Sequence, residues 1–330
     1  MRIVDLHCDT LDEMFTNKQR NEHYNLYKRQ GHLDIERMQK SDYMLQCFAA
    51  FVDMGKVESA YEQGKALANL YRQLCAEYSP YIAPVYCYGD IEKNAEKELI
   101  SAMLTIEEGG VLEGSTERLR EFYEAGVRLI TLTWNYPNEL GYPGCLEETP
   151  VPEKPVNWKV TGTYPGLTKK GMEIVEAMEE NGIIVDVSHL SDAGFWDVAA
   201  ITQKPFIASH SNARKMCRHK RNLSDAQIRT IAERGGVIGL NFARDFLEED
   251  MERVCLNSFV RHIKHMIYIG GEDVIALGSD FDGITTNPAM PHAGKLSDLF
   301  ETMAASGIAP SVIDKMQGRN ALRLMKEVLR

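Results

Sequence analysis

Long apolar runs are missing from this 330-residue chain, although hydrophobic residues make up 44% of it. No stretch approaches the ~18 consecutive apolar residues that a membrane-spanning helix needs. Near the first residue, Arg2, Asp5, Asp9 and Asp12 interrupt the apolar positions, so no signal peptide is recognisable. We therefore expect a cytoplasmic protein with no membrane partner.

Closely spaced cysteine pairs and a basic surface are also missing. The seven cysteines are scattered without any C-x-x-C pair, which argues against a disulfide framework and against a thiolate zinc site. The formal net charge of −11 argues against nucleic acid as a partner, because such binding needs a basic face. The one basic cluster is "ARKMCRHKRN" at 213–222, for which a solvated helix end is the simplest explanation.

Glycine-rich phosphate loops are the third absence, since neither a G-x-G-x-x-G after the first strand nor a P-loop occurs. The chain instead alternates short apolar runs with amphipathic segments that often end in glycine. The apolar runs cover residues 3–10, 44–53, 102–110, 127–135, 182–190, 205–211, 236–242 and 274–283. This alternation predicts an α/β fold, a single (β/α)8 TIM-type barrel over residues 1–330, rather than a doubly wound open sheet.

Unusual polar residues stand in the last positions of these runs. They are His7, Asp9, Glu108, His189, His210 and Asp280. Because the carboxyl ends of barrel strands converge on one face, we expect these side chains to meet in one pocket. His7 and Asp9, two residues apart, share one face of the first strand, whereas Cys8 points the other way. Buried carboxylates and imidazoles are costly to desolvate without a neutralising cation, so the pattern predicts a metal site.

The number of candidate ligands exceeds what one tetrahedral zinc ion can use, and fits two zinc ions ~3.5–4 Å apart that share a carboxylate. The predicted set is His7, Asp9 and Glu108 on one ion, with Glu108, His189 and His210 on the other. Glu107 is the rival of Glu108, because strand alternation turns one of the two outward. The position directly before Gly109 favours Glu108. Manganese and cobalt accept the same mixed ligands, so the native metal stays open.

A long segment at 135–167, rich in Pro, Gly, Tyr and Trp, separates the fourth and fifth runs. A loop of this length in a compact barrel is usually a lid or part of a substrate pocket. We predict that it closes over the substrate. Trp134, Asn135 and Tyr136, where this segment begins, are the predicted substrate-contacting residues.

Taken together, these motifs resemble the membrane dipeptidase (renal dipeptidase) family of zinc peptidases. The resemblance rests on H-x-D in the first run, "IEEGG", "GLTKKGMEIVEAMEENGIIVDVSHLS", "FIASHSNARKMCRHKRNLSD" and "GSDFDG", in this order, over about residues 3–325. It implies a (β/α)8 barrel, two zinc ions, frequent homodimers and hydrolysis of dipeptides. The chain looks like a soluble, microbial-type member.

The resemblance also implies roles for single residues. It yields the same metal ligands, matches Arg221 in "HKRN" to the arginine that receives the substrate carboxylate, and matches Asp280 to an aspartate near the metals. One position departs from the family pattern, because "TLTWN" puts Trp134 where the family has a histidine that contacts the substrate carbonyl or the tetrahedral intermediate. An indole donates one hydrogen bond but cannot exchange protons.

The expected function is a zinc-dependent dipeptidase in which a hydroxide bridging the two ions attacks the peptide bond. Asp280 and Glu108 are the predicted catalytic residues, and substrates with a C-terminal D-residue are included. Two alternatives stay open. Another amide, lactam or N-acyl amino acid hydrolase could use the same metal centre, and a free α-amine requirement would separate the two. A non-catalytic metal-binding protein would hold zinc without any turnover.

Overall fold

The computed structural model describes residues 2–19, 25–144 and 166–330. Within these ranges the chain forms nine parallel strands of one sheet. The strands are β1 (Ile3–Asp5), β2 (Tyr43–Phe51), β3 (Ile82–Pro84), β4 (Ile100–Glu107), β5 (Val127–Thr131), β6 (Ile184–Asp186), β7 (Ile207–Ala208), β8 (Val237–Leu240) and β9 (Ile275–Leu277).

Eight of these strands close into a barrel. The order runs from β2 through β1 and β9 back down to β4, and β4 pairs with β2 over seven residue pairs, which closes the ring. The remaining strand, β3, pairs only with the beginning of β4, and the end of β4 pairs with β5. The architecture is a (β/α)8 TIM-type barrel, which confirms the fold predicted from the alternating pattern.

Helices follow the strands on the outside of the barrel. The α-helices are Thr10–Gln19, Ile35–Lys40, Ala60–Glu77, Tyr88–Glu96, Thr116–Ala125, Lys169–Asn181, Asp192–Ile201, Asp225–Glu233, Arg244–Leu247, Leu256–Gly270, Leu296–Ala305, Pro310–Asp314 and Asn320–Val328. Many begin at a serine or threonine whose hydroxyl accepts a backbone N–H of the first turn, as Ser224 does from Gln227. Among the described residues, no helix combines the length and the apolarity that crossing a membrane requires.

Two apolar layers hold the barrel together. The larger layer lies between strands and outer helices, and the smaller one fills the barrel interior with Val4, Leu6, Leu45, Cys47, Met103, Leu129, Ile184, Ile207, Val237 and Ala276. The helix Asn320–Val328 adds Leu324 and Met325 to the interior layer. Arg323 of this helix donates to the carbonyls of Gly235 and Asp273, which precede β8 and β9. The last helix therefore closes the amino-terminal end, and the carboxyl end stays open for the site.

Each of the eight predicted runs overlaps a barrel strand, but the strands end earlier than predicted. The first run, predicted over Ile3 to Thr10, is a strand only over Ile3–Asp5, and Thr10 already begins a helix. The strand β3 was missed, because it has three residues and ends in Pro84, which cannot donate to a ladder. The polar side chains therefore lie in loops just beyond the strands, where backbone angles are less restricted.

Candidate active site

Three imidazoles surround one carboxylate at the open end of the barrel. The Glu107 Oε1 atom lies 2.8 Å from His189 Nε2 and 3.4 Å from His210 Nε2. The other oxygen, Oε2, lies 3.3 Å from His7 Nε2. All four residues are buried, and the two nitrogens of His189 and His210 are 3.0 Å apart. The Glu107 carboxylate therefore presents one oxygen to His189 and His210 and the other oxygen to His7.

Asp9 and Asp280 extend the cluster on the His7 side. His7 Nε2 lies 3.4 Å from Asp9 Oδ2 and 3.9 Å from Asp280 Oδ1. His7 and Asp9 thus point the same way, and Cys8 is buried in the layer between strands and helices. The structure brings His7, Asp9, His189, His210 and Asp280 together, as their positions at the ends of the runs predicted.

The prediction of Glu108 in this cluster is wrong, because the structure puts Glu107 there. Ala102, Leu104 and Ile106 of β4 pack outside the barrel, whereas Met103 packs inside it. Strand alternation then turns Glu107, the last residue of β4, inward with Met103. The sequence carried this signal, since counting in twos from Met103 reaches Glu107. The glycines that follow mark only where the strand ends.

Glu108 has another position and other partners. Its backbone φ of 93° departs from the strand, and its carboxylate accepts hydrogen bonds from the Trp134 N–H (2.9 Å), the Gly110 N–H (2.7 Å) and the Asn138 side-chain amide. Burial raises the pKa of Glu108 to about 7, against these hydrogen bonds. Glu108 therefore fixes the loop that carries Trp134, and it is not a ligand candidate.

Left-handed backbone conformations cluster at the site. His189 has a φ of 68° and Asp280 a φ of 62°, values that residues with a Cβ seldom adopt. Such strain persists only where the surroundings fix it, and it concentrates at functional sites.

Gly283 shows how tightly this end of the barrel is packed, because a Cβ there would lie 2.0 Å from Asp9 Oδ2 and 2.6 Å from Asp280 Oδ1.

Two buried aspartates position loops that carry candidate metal-site residues, and the sequence interpretation missed both. Asp186 Oδ2 accepts a 2.5 Å hydrogen bond from Ser209 Oγ, and that hydroxyl lies 2.7 Å from His210 Nδ1. In the same way Asp5 Oδ2 accepts a 2.6 Å bond from Ser279 Oγ, next to Asp280. Both aspartates end an "IVD" strand, and this repeated tripeptide is the signal that could have found them.

Polar side chains from other loops hold the cluster from behind. Asn135 Oδ1 lies 3.2 Å from His189 Nδ1, and the Asn241 side-chain amide donates a 2.9 Å hydrogen bond to Asp280 Oδ2. Partners on the far side of a metal-binding imidazole fix its tautomer and orientation. Asn135, predicted to touch substrate, contacts one of the candidate ligands and also lines the cavity above the cluster.

Burial and mutual charge govern protonation in the cluster. Burial, together with the Arg221 charge, lowers the pKa of His189 to about 4, and burial beside His7 lowers the pKa of His210 well below its usual value. Burial opposes ionisation of Glu107, but the neighbouring His7 and the hydrogen bonds from the other two imidazoles hold its pKa well below the usual range. Burial opposes a charge on His7, but the Glu107 and Asp9 carboxylates raise the pKa of its imidazole well above the usual value. Neutral His189 and His210 beside an ionised Glu107 are the protonation states that bind metal, whereas His7 has to release a proton when a metal binds.

The donor atoms fit a divalent cation. Ligand atoms of His7, Glu107 and His210 lie within 4.8 Å of one another, and so do those of His7, Asp9 and Asp280. Within the described residues, His7 Nε2 and Asp9 Oδ1 are buried without any hydrogen-bond partner. Orphaned polar atoms of this kind are costly, and a cation between them removes the cost.

A cavity of about 580 Å³ opens above the cluster. Phe51 and Trp134 form one part of its wall, with ring centres 4.9 Å apart. Trp134 also lies 6.3 Å from the His189 ring. Tyr136, predicted to touch substrate, is 39% exposed, packs on Trp134 and is not among the lining residues.

Arg221 forms the opposite wall. Its guanidinium is buried, lies 5.5 Å from the Phe246 ring centre, and donates long hydrogen bonds to Ser211 Oγ (3.5 Å) and the His210 carbonyl (3.4 Å). The basic cluster at 213–222 therefore contributes one arginine to the cavity wall.

Of the predicted lid at 135–167, residues 145–165 lie outside the described residues.

Comparisons with known proteins agree with this geometry. The family model for membrane dipeptidase (peptidase family M19) matches residues 1–330. A protein encoded in the pqqA 5′ region of Klebsiella pneumoniae is 37% identical over 78% of this chain and 93% of its own length. An uncharacterized dipeptidase of Schizosaccharomyces pombe is 28% identical over 90% of this chain and 72% of its own length.

Solved structures give the same result. Dipeptidase AC, a metallo peptidase of family M19, superposes with a TM-score of 0.88 at 27% identity and covers 100% of this chain and 99% of its own. A metallo peptidase from Rhodobacter sphaeroides, liganded with a phosphinate mimic of the dipeptide L-Ala-D-Ala, superposes equally well at 26% identity, with 99% of both chains covered. The chain therefore belongs to the membrane dipeptidase family of metallopeptidases, peptidase family M19.

Proposed function

We propose that this protein hydrolyses dipeptides with a pair of zinc ions held by one shared carboxylate. The revised ligand set is His7, Asp9 and Glu107 on one ion, with Glu107, His189 and His210 on the other. The observation that carries the proposal is the Glu107 carboxylate, whose Oε2 faces His7 while its Oε1 faces His189 and His210. A pair of ions bound in this way supplies a Lewis acid for the substrate carbonyl and a hydroxide at neutral pH.

Asp280 is the proposed proton carrier. Its Oδ1 lies on the His7 side of the cluster, and its Oδ2 accepts the hydrogen bond from Asn241. This leaves Oδ1 directed at the reacting groups, where it accepts the proton of the attacking water and returns it to the leaving amine. The left-handed backbone at Asp280 keeps the carboxylate in this orientation.

Arg221 is the proposed anchor for the terminal carboxylate of the substrate. A guanidinium is permanently charged and its fork matches a carboxylate, so two parallel hydrogen bonds form. The hydrogen bond from Arg221 to the His210 carbonyl ties this anchor to a candidate metal ligand. The anchor therefore fixes how much of the substrate fits between it and the ions, which favours dipeptides over longer peptides.

The aromatic wall of Phe51 and Trp134 is proposed to pack against the substrate. Trp134 stands where family members typically carry a histidine, and because an indole cannot exchange protons, the proton transfers here rest on Asp280. Dipeptides with a C-terminal D-residue are included among the proposed substrates. The cytoplasmic location, the homodimer and the single domain over 1–330 stay predictions.

A panel of L-L and L-D dipeptides tests the proposal. The protein as purified and the protein reconstituted with zinc are expected to cleave several of them, and a chelator is expected to abolish cleavage until zinc returns. Nα-Acetylated amino acids serve as the comparison substrates. Turnover of these compounds without turnover of any dipeptide would contradict the proposal.

A further inference from the structure

Several carboxylates from the described part of the chain line the cavity, and all but one of these have a local partner. Asp9, Glu107 and Asp280 belong to the candidate metal cluster. Asp282 accepts hydrogen bonds from Arg29 Nη1 and Thr10 Oγ1, both at 2.7 Å. Asp245, at the outer edge, is more than half exposed and has His219 Nε2 at 3.9 Å.

Asp12 is the carboxylate that remains. It lies in the first turn of the helix Thr10–Gln19, lines the cavity near Asp9 and is partly buried. Among the described residues, no hydrogen-bond donor or ion-pair partner holds its carboxylate. The charge of Lys56 acts on Asp12, but the Lys56 ammonium group pairs with Asp53 at 2.8 Å.

The surroundings of Asp12 disfavour ionisation of its carboxyl group. Burial raises its pKa, and the nearby Asp53 and Glu107 add to the increase while Lys56 opposes it. A half-buried carboxylate without a partner lowers stability unless a cation arrives from outside. The arrangement therefore leaves a place for one positive charge beside the proposed reaction centre.

The opposite wall carries the complementary charge. Arg221 lies there, and Arg244 lines the same wall with Glu252, an 87% exposed side chain, as its partner at 3.5 Å. A dipeptide carries one negative and one positive terminus, about 7 Å apart when two residues are extended. The two walls thus match a zwitterion whose carboxylate faces Arg221.

We propose that Asp12 binds the α-ammonium group of the substrate and thereby selects dipeptides with a free amino terminus. This inference rests on the proposed function, because it uses the same cavity. It assigns to Asp12 a role in substrate choice and none in the chemistry of bond cleavage. It predicts that N-acylated substrates bind more weakly, since acylation removes the charge that Asp12 would pair with.

The test compares Asp12→Asn and Asp12→Glu with the wild-type zinc-loaded protein. For L-Ala-L-Ala, Asp12→Asn is expected to raise KM about tenfold with kcat within twofold, and Asp12→Glu to recover part of the loss. Asp245→Asn removes the same charge at the outer edge of the cavity and is expected to leave KM within twofold. Thermal unfolding of each variant shows whether the fold is retained.

Inhibition by a phosphinate analogue of Ala-Ala, with a free or an acetylated amine, separates this inference from the proposed function. The wild type is expected to bind the free-amine form at least tenfold more tightly, and Asp12→Asn to lose that preference. Equal discrimination in both proteins would overturn the role of Asp12, and so would an equal loss of affinity for both forms. Failure of the wild type to cleave any dipeptide would instead contradict the proposed function, because inhibitor binding is measured independently.

Discussion

At the scale of single residues, the choice between Glu107 and Glu108 decides how the site works. The two are adjacent and both buried, yet Glu107 faces three imidazoles and Glu108 accepts hydrogen bonds from a loop. Their pKa values diverge for the same reason, since Glu107 lies well below its usual range and Glu108 is raised to about 7.

The matched pair of isosteric variants tests this division. Glu107→Gln is expected to lower metal content below one ion per chain and kcat/KM by more than 100-fold, because an amide binds a cation far more weakly than a carboxylate. Glu108→Gln is expected to keep the metal and to lose less than tenfold. Elemental analysis and dipeptide hydrolysis measure the two effects. The reverse pattern would restore the assignment made from the sequence.

Trp134 offers a second prediction at this scale. Its ring packs against Phe51 and Tyr136, so its contribution is expected to come from packing. Trp134→Phe is expected to keep kcat/KM within about fivefold of wild type, and Trp134→Ala to lower it on the order of tenfold, with KM carrying most of the change. If Phe and Ala variants lose activity equally, the indole N–H is the group that matters.

At the scale of structural elements, the loops that follow the strands carry the candidate site. Left-handed residues and side-chain hydrogen bonds fix the conformation of these loops. Alternation of apolar residues predicted the strands well, because both barrel layers are built from it. It could not predict where each strand ends, since that depends on left-handed residues such as His189 and Asp280 and on the serine–aspartate bonds at Asp5 and Asp186. Asp12 could not be predicted for a related reason, because the residues around it come together only in the folded barrel.

The loop after β9 depends on Gly283 for its close approach to the cluster. A methyl group at this position would overlap Asp9 Oδ2 and press on Asp280 Oδ1. Gly283→Ala is expected to reduce metal content and to lower kcat/KM at least tenfold, measured on the same preparation. Gly89→Ala is the control, since a Cβ there would meet nothing closer than Cys87 Sγ at 3.8 Å.

His262, in the helix Leu256–Gly270, makes the free energy of unfolding depend on pH. Its buried ring accepts from the Ala213 N–H and lies 3.1 Å from the Leu247 carbonyl, and burial lowers its pKa to about 4. Because the unfolded chain has the higher pKa of about 6.5, the unfolded state binds the proton first as the pH falls. The contribution of neutral His262 is therefore full above about pH 6.5 and is lost towards pH 4.

This loss amounts to on the order of 3 kcal/mol at about 1.4 kcal/mol per pKa unit. Urea unfolding of the metal-free protein at pH 7 and pH 4.5 measures it. His262→Gln is expected to be less stable at pH 7 but to lose less stability on acidification than the wild type. An identical pH dependence in both proteins would contradict this account of the helix.

At the scale of the whole molecule, the barrel brings candidate ligands that are up to about two hundred residues apart in the chain together at one end. The fold and the assembly of the site followed from the sequence, because the carboxyl ends of parallel barrel strands share one face. The walls of the cavity did not, since Phe51, Asp12 and Phe246 come from segments with no motif of their own. A metal-free barrel keeps three carboxylates and three imidazoles crowded together.

Metal removal is therefore expected to destabilise the entire molecule. Zinc bound a thousandfold above its dissociation constant adds about 4 kcal/mol to the free energy of unfolding. The melting temperature of the chelated protein is expected to fall by several degrees and to recover when zinc is added. An unchanged melting temperature after complete removal would argue against a buried metal pair.

The most direct test of the central claim is an anomalous difference map from crystals of the zinc-loaded protein, collected at the zinc absorption edge. The account predicts two peaks on either side of the Glu107 carboxylate, ~3.5–4 Å apart, one beside His7 and Asp9 and the other beside His189 and His210. A single peak, or a pair bridged by any residue other than Glu107, would contradict it.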